Sequence, residues 1–332
     1  MDRQATMEQG LTRAVAAPRL SAAARRRQLR EKAVAGFITL MAFTGIAALV
    51  LIIVFVAKEA LTLFTDADAR HEASLSKMFL AQEGRYPFRW QPVSDTPKVS
   101  MIPLFVGTLK ITLVSMLVAV PMGVFSALFV AEFAPRRLRE LLKPVIELLA
   151  GIPSVVLGFF ALMVLSPMVK NLFNLDRPLN GTLAGLALAL AIVPVIFTVS
   201  EDALTAVPRS YREASLALGA TLWETAWKVV LPAAAPGILA ACVLGFGRAI
   251  GETMIVLMAS GNADIVSWNL GDSARSLSAT IAAEMGEVVV GSPHYALLFF
   301  IGVELFIFTF VLNMAASAWT KKVLQRLTGS AS

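Results

Sequence analysis

Two charges stand inside the apolar stretch GFGRAIGETMIVL, Gly245–Leu257: Arg248 and, four residues on, Glu252. An arginine and a carboxylate at that spacing share one face of a helix and lie within reach of each other. Near the centre of a bilayer either one alone costs about 2.5–3.5 kcal/mol to insert, so keeping both needs a reason. One reason is a face that lines an aqueous path for an anion. A guanidinium meets oxyanion oxygens in a planar, bidentate way and keeps its proton. Glu252 then holds Arg248 while the anion is away and competes it off when it must leave, which keeps binding weak enough for passage. The other reason is an ion pair that pins two helices, or a partner protein, together. The residues alone leave both open.

Lesser candidates surround this pair. Thr253 adjoins Glu252, and Ser154 lies in a stretch loosened by Gly151, Pro153 and Gly158; both are candidates to line the same path. A kink that suits helix packing is the plainer account of the second stretch. Lys110 is expected to snorkel to the membrane interface. Glu304 faces a vestibule or a partner subunit, with nothing to choose between them. Thr108, Thr112 and Ser115 recur at near-helical spacing and form a polar face, or bond their own helix carbonyls.

Other chemistry is poorly supplied. The single cysteine, Cys242, excludes an internal disulfide and CxxC sites. Two distant histidines, His71 and His294, make a histidine-based metal site a poor reading. Gly245, Gly247 and Gly251 follow GxGxxxG, with Ile250 where a dinucleotide fingerprint needs its third glycine. They suit close helix approach or an opening of the helix near the charges. No G-x-x-x-x-G-K-[ST] phosphate loop occurs, so the chain is not expected to hydrolyse ATP.

The elements that must position these residues are membrane helices. Of 332 residues 57% are hydrophobic and 16% charged, with a mean hydropathy of +0.72. Runs long enough to cross a bilayer are expected near Ala33–Ala57, Ile102–Phe133, Ile146–Val169, Thr182–Ser200, Val229–Ser260 and Tyr295–Trp319. The net charge of +6 does not imply nucleic acid, because the bases cluster at span ends rather than along one face. Arg25, Arg26, Arg27, Arg30 and Lys32 precede the first span. Arg136, Arg137, Arg139 and Lys143 follow the second, and Lys321, Lys322 and Arg326 follow the sixth. That bias places both termini in the cytoplasm and Thr65–Met101 outside. The first 30 residues are expected to be disordered or to lie on the anionic leaflet. Ser260–Pro293 is expected outside, with room for a short helix.

Between the fourth and fifth spans lies VPRSYREASLALGATLWETAWKVVLP, Val207–Pro232. Pro208 suits a first helical position and Gly219 a left-handed stop. Thr221 and Glu224 form a T-x-x-E capping box, and Pro232 marks re-entry into the membrane. Two short helices joined by a bend are expected. Glu213-Ala214, then Gly219, then Val229-x-Leu231-Pro232 resembles the E-A-A-x3-G-x9-I-x-L-P signature of binding-protein-dependent ABC importer permeases. Ser215 and Val229 depart from it by small changes. The resemblance implies that this loop is a coupling helix docking into a cytoplasmic ATPase, with Glu213, Ala214 and Gly219 in that role.

Four further stretches resemble the phosphate-specific (Pst) permeases, PstC-type: Gly107–Gly123, Phe129–Pro135, Leu148–Leu162 and Gly247–Val256. This resemblance implies an all-α integral membrane protein of six transmembrane helices in the bacterial inner membrane, with an extracytoplasmic segment after the first helix. Its parts are a basic cytoplasmic arm over 1–32, an anchor helix over 33–57 and an extracytoplasmic segment over 58–101. A permease core over 102–320 contains the coupling loop 201–228, and a cytoplasmic tail occupies 321–332. It implies transport of phosphate past Arg248 and Glu252. The implied partners are a second permease (PstA-like), two copies of an ATPase (PstB-like) and a periplasmic phosphate-binding protein (PstS-like). ATP and magnesium belong to the ATPase, and this chain is expected to bind no cofactor. A permease for molybdate, sulfate or a phosphonate, and an ion-coupled secondary transporter, remain as alternatives.

Overall fold

The structure is a computed structural model that describes residues 22–66, 74–82, 87–94 and 96–328. His71, the basic arm as far as residue 21 and the last four residues of the tail lie outside the described residues. The chain divides into two units, 1–55 and 56–332. Helix α1 (Ala22–Thr65) crosses that division. In the first unit its apolar residues stand exposed, Phe37 and Phe43 among them. The helix already includes residues 22–30, part of the stretch expected to be disordered or to lie on the anionic leaflet. Ala, Arg, Lys, Gln and Glu are all good helix formers, and Arg27 pairs with Glu31 one turn on at 3.1 Å. At its other end it outruns the expected Ala57 and continues to Thr65.

The second unit holds α2 (Leu75–Phe79), strands β1 (Trp90–Gln91) and β2 (Lys98–Val99), and α3 (Ile102–Leu128), which runs into a π turn, Phe129–Phe133. Then come α4 (Arg136–Ala150), α5 (Ser154–Phe160), a second π turn Ala161–Leu165, α6 (Ser166–Phe173) and α7 (Gly181–Thr205). After them follow α8 (Arg209–Ala217), α9 (Leu222–Thr225), a third π turn Ala226–Val230, α10 (Leu231–Gly251), α11 (Met254–Ala259), α12 (Leu277–Glu284) and α13 (Pro293–Thr328). Among the described residues, six spans are long and apolar enough to cross a membrane: Arg30–Thr65, Ile102–Phe133, Ser154–Phe173, Gly181–Thr205, Leu222–Gly251 and Pro293–Lys322.

The second span has the expected ends. The third does not: it begins at Ser154 rather than Ile146, because Gly151 and Pro153 end one helix and start another. Residues Ile146–Ala150 belong instead to α4, which is amphipathic, with leucines at 141, 142, 148 and 149 and bases at 136, 137, 139 and 143. Arg139 (2.9 Å) and Lys143 (2.6 Å) bond the two oxygens of Glu201 on the fourth span, a carboxylate only 3% exposed.

The fourth span, α7, is the centre of the core, with 61% of it buried against 33% or less in the others. Its Gly and Ala residues let neighbouring helices approach closely. A Cβ at Gly185 would overlap the Val114 side chain of α3, and one at Gly245 of α10 would meet Ile196 at 2.9 Å. Gly245 therefore has the close-approach role expected of it.

The face of the molecule bearing residues 206–221 is the loop side; the opposite one is the far side. On the loop side Phe133, Trp223, Trp227 and Phe125 form a row of rings with successive centroids 5.8, 5.7 and 6.3 Å apart, Phe from the second span and Trp from the fifth. Lys110 does not snorkel. It is buried and its Nζ donates to the carbonyls of Asn269 (3.1 Å) and Asp272 (3.3 Å), holding the far-side loop to α3. The hydroxyls of Thr108 and Ser115 bond their own helix, to Leu104 O and Thr112 O, and Thr108 also accepts from Leu277 N at 3.1 Å.

Trp90, 2% exposed, ties the far side together. Strand β1 pairs antiparallel with β2, Trp90 opposite Val99, while the indole N–H donates to both oxygens of Glu284 at 3.0 and 3.1 Å. Arg275 and His294 (2.8 Å) converge on the same carboxylate. Arg89 and the backbone N–H of Trp90 bond Asp264 nearby. Burial alone would raise the pKa of Glu284. The His294 hydrogen bond, the Arg275 charge and the indole N–H outweigh it and hold that pKa below the ordinary 4.5. A depressed carboxylate contributes stability that is fully present above its unfolded pKa and is lost as pH falls through the folded one. Glu284→Gln is therefore expected to unfold more readily at neutral pH, by about 1.5–3 kcal/mol. The gap from the unsubstituted protein should close below pH 4.5, as read by thermal melting in detergent.

Candidate functional site

Arg248 and Glu252 are not on one helical face. Helix α10 ends at Gly251, and Glu252 is extended, φ −69° and ψ 131°. The four-residue rule assumes an unbroken helix, and here the break falls between the two charges. No ion pair joins them among the described residues. Glu252 serves the next helix instead. Its Oε1 accepts from the N–H of Ile255 in the first turn of α11, at 3.4 Å, and its carbonyl accepts from the Ser278 hydroxyl of α12 at 2.8 Å. Thr253 is the N-cap residue of α11, with its hydroxyl on Gly251 O at 3.3 Å. In place of an ion-pair latch or an ion-pair pin within this chain stands a break at the end of the fifth span, between α10 and α11.

Arg248 lines a cleft of about 890 Å³. Its walls are Val195 of the fourth span, Ala240, Val243, Leu244 and Gly247 of the fifth, and Thr309, Asn313, Ser317, Thr320 and Lys321 of the sixth. Glu252, Thr253 and Ser154 are not among them. Ser154 opens α5, whose Gly158 packs on α11, where a Cβ would meet Met254 O at 3.2 Å. Gly247 faces Asn313: a Cβ there would lie 3.4 Å from the amide nitrogen. Arg248, Asn313 and Ser317 have no side-chain hydrogen-bond partner among the described residues. Thr309, Asn313, Ser317 and Lys321 recur every four residues, so they form one stripe about 18 Å long at 1.5 Å per residue. That stripe was legible as a spacing, but each member taken singly is an ordinary tolerated polar residue. It offers an anion an amide, a hydroxyl and an ammonium along one wall, with the guanidinium of Arg248 coming from the fifth span. Glu304 lies higher on the same helix with one buried carboxylate oxygen, Oε2, that has no partner.

The loop side carries the second group of expected residues. Helix α8 begins at Arg209 with Pro208 as its N-cap, one residue later than expected. Gly219 is left-handed, φ +86°, and the N–H groups of Gly219 and Ala220 close the helix on Leu216 O (3.0 Å) and Ser215 O (3.2 Å). The T-x-x-E box is present: Glu224 N donates to Thr221 Oγ1 at 3.2 Å and Thr221 N to Glu224 Oε2 at 3.1 Å. Pro232 opens no new helix. The helix from Leu222 continues through it to Gly251, because the π turn just before already interrupts the regular hydrogen-bond ladder that a proline would break. Glu213, Ala214, Leu216 and Ala217 are exposed, while Arg212 and Ser215 turn inward. Ser215 bonds Thr225 at 2.9 Å. Arg212 bonds the Glu132 carboxylate, at 2.7 Å at the closest, and the carbonyls of Val207 (2.6 Å) and Leu204 (2.9 Å).

Known proteins share this architecture. Residues 119–329 match the family described as binding-protein-dependent transport system inner membrane component. The chain is 36% identical over 294 residues to the probable ABC transporter permease protein YqgH of Bacillus subtilis, covering 88% of this chain and 92% of that one. It is 34% identical over 285 residues to the phosphate transport system permease protein PstC of Mesorhizobium japonicum, covering 80% and 84%. Among solved structures, a bacterial ABC transporter involved in the import of the acidic polysaccharide alginate aligns over 90% of this chain and 99% of that one. Its TM-score is 0.61 at 13% identity, a likeness of fold. With six apolar spans, a capped loop between the fourth and fifth and relatives of this kind, the chain belongs to the binding-protein-dependent transport system inner membrane components and is a membrane permease subunit of an ABC importer.

Proposed function

We propose that this permease carries phosphate, with Arg248 as the residue that meets the anion. The observation that carries the reading is a guanidinium without a partner among the described residues, in a cleft where Asn313 and Ser317 also stand unpaired while Thr309 and Thr320 bond their own helix. Phosphate brings one to two negative charges and several acceptor oxygens, which suit a bidentate guanidinium flanked by neutral donors. The similarity to PstC supports phosphate over other oxyanions. Glu252 bonds the first turn of α11 rather than holding Arg248, and with Thr253 it forms the break that follows α10. Ser154 acts at one remove, through the packing of α5 on α11.

The same reading places both termini in the cytoplasm and the loop side facing an ATPase. Glu213, Ala214 and the turn at Gly219 would be presented to it, since they stand exposed while Arg212 and Ser215 bind inward. ATP and magnesium are then held by that ATPase, PstB-like and present in two copies. A PstA-like second permease completes the path, and a PstS-like binding protein delivers phosphate on the far side.

Labelled phosphate uptake in cells or proteoliposomes tests this. Arg248→Ala is expected to lower uptake about ten-fold or more, since a hydrogen bond to a charged group is worth about 1.5–3 kcal/mol and 1.4 kcal/mol is a factor of ten. Arg248→Lys should also fail, lacking the planar fork, while the ATPase still co-purifies with both. Uptake that survives in Arg248→Ala, or that sulfate or molybdate competes away as well as phosphate does, would sink the reading. At the loop, Gly219→Ala forces a side chain into a left-handed turn at about 1–2 kcal/mol. It is expected to weaken ATPase co-purification without changing membrane insertion.

A further inference from the structure

Arg212 stands outside the E-A-A-type signature, yet its guanidinium joins three elements. On α8 itself it is 21% exposed at the side chain. It reaches Glu132, 10% exposed, in the π turn that closes the second span, with Nε at 3.2 and 3.1 Å from the two oxygens and Nη2 at 2.7 Å from Oε1. From the same group Nη1 donates to Val207 O at 2.6 Å and Nη2 to Leu204 O at 2.9 Å. Those carbonyls lie at the C-terminal end of the fourth span, where helix geometry leaves acceptors unsatisfied and favours a cation. One turn on along the same inward face of α8, Ser215 Oγ meets Thr225 Oγ1 at 2.9 Å at the entry to the fifth span. Removing one partner of a buried, multiply bonded charge pair leaves the other charge uncompensated, so this junction does not slide: it moves as a piece or it breaks.

We propose that Arg212 is the positioning residue that transmits displacement of α8 to the second and fourth spans, while Ser215–Thr225 transmits it to the fifth. This rests on the reading of α8 as the surface an ATPase engages. With the Arg212 link cut, the outward face of α8 keeps its docking residues and its Gly219 stop, so the ATPase still binds and turns over. The second and fourth spans no longer follow. Hydrolysis continues without transport.

The test uses the complete importer in proteoliposomes, reading ATP hydrolysis and labelled phosphate uptake together. Arg212→Gln and, independently, Glu132→Gln are expected to keep hydrolysis near the unsubstituted rate. Uptake per ATP should fall about ten-fold, within the range of a coupling free energy between sites. Arg212→Lys, which keeps the charge but cannot serve a carboxylate and two carbonyls at once, should be intermediate; it decides the matter if Arg212→Gln does not assemble. A readout independent of the cargo comes from spin labels at the exposed Leu113 of the second span and Met163 of the third, which neither link drives, with Cys242 replaced by Ala. Their separation should change on adding ATP in the unsubstituted importer and stay fixed in Arg212→Gln. The proposal is overturned if hydrolysis falls in step with uptake, if uptake per ATP is unchanged, or if the labels still move. An unsubstituted importer that hydrolyses ATP and moves its labels but takes up no phosphate refutes the cargo reading alone.

Discussion

Inside a hydrocarbon layer a charged or hydrogen-bonding group has no water to fall back on, so its partner must be built into the protein or admitted through a wet cavity. Much of this molecule can be read as a set of answers to that demand. Glu201 draws Arg139 and Lys143 onto the fourth span and so straps the amphipathic α4 against the core. Lys110 spends its ammonium on two loop carbonyls. Glu132 takes the guanidinium of Arg212. Arg248 is handled differently: its surroundings supply a cleft and further unpaired donors, not a carboxylate.

The break after Gly251 follows from the same demand. An interrupted helix frees backbone groups that must be satisfied locally. Glu252 does so twice, through its side chain to Ile255 and through its carbonyl to Ser278. The fifth span is thus pinned at α12 on the far side and at Thr225 near α8 on the loop side.

The parts of this arrangement that are local in sequence could be read from it. The second span, Ile102–Phe133, is a plain apolar run; Gly219 needs only its own missing Cβ; Thr221 and Glu224 are three residues apart. What could not be read depends on distant partners or on an unmarked irregularity. Gly251 suits an opening of the helix near the charges, but the extended conformation at Glu252 could not be read, since the residues that hold it, Ser278 above all, come from α12. The apolar residues of α4 belonged by composition to the next span, and only the buried Glu201 shows why the helix lies apart. Lys110 resembled an interfacial lysine because its acceptors lie about 160 residues downstream in the folded loop. The stripe through Asn313 and Ser317 had the right period all along, but its meaning needed Gly247 opposite.

The row of rings on the loop side has a use of its own. Trp223 and Trp227, stacked at an interplanar angle of 15°, are held between Phe133 and Phe125, which ride on another span. Indole emission depends on how such neighbours overlap and on how much solvent reaches them, and both tryptophans are partly open to their surroundings. The protein therefore carries a native optical gauge at the seam where its loop-side helices meet the membrane, able to register their tilt without any attached dye.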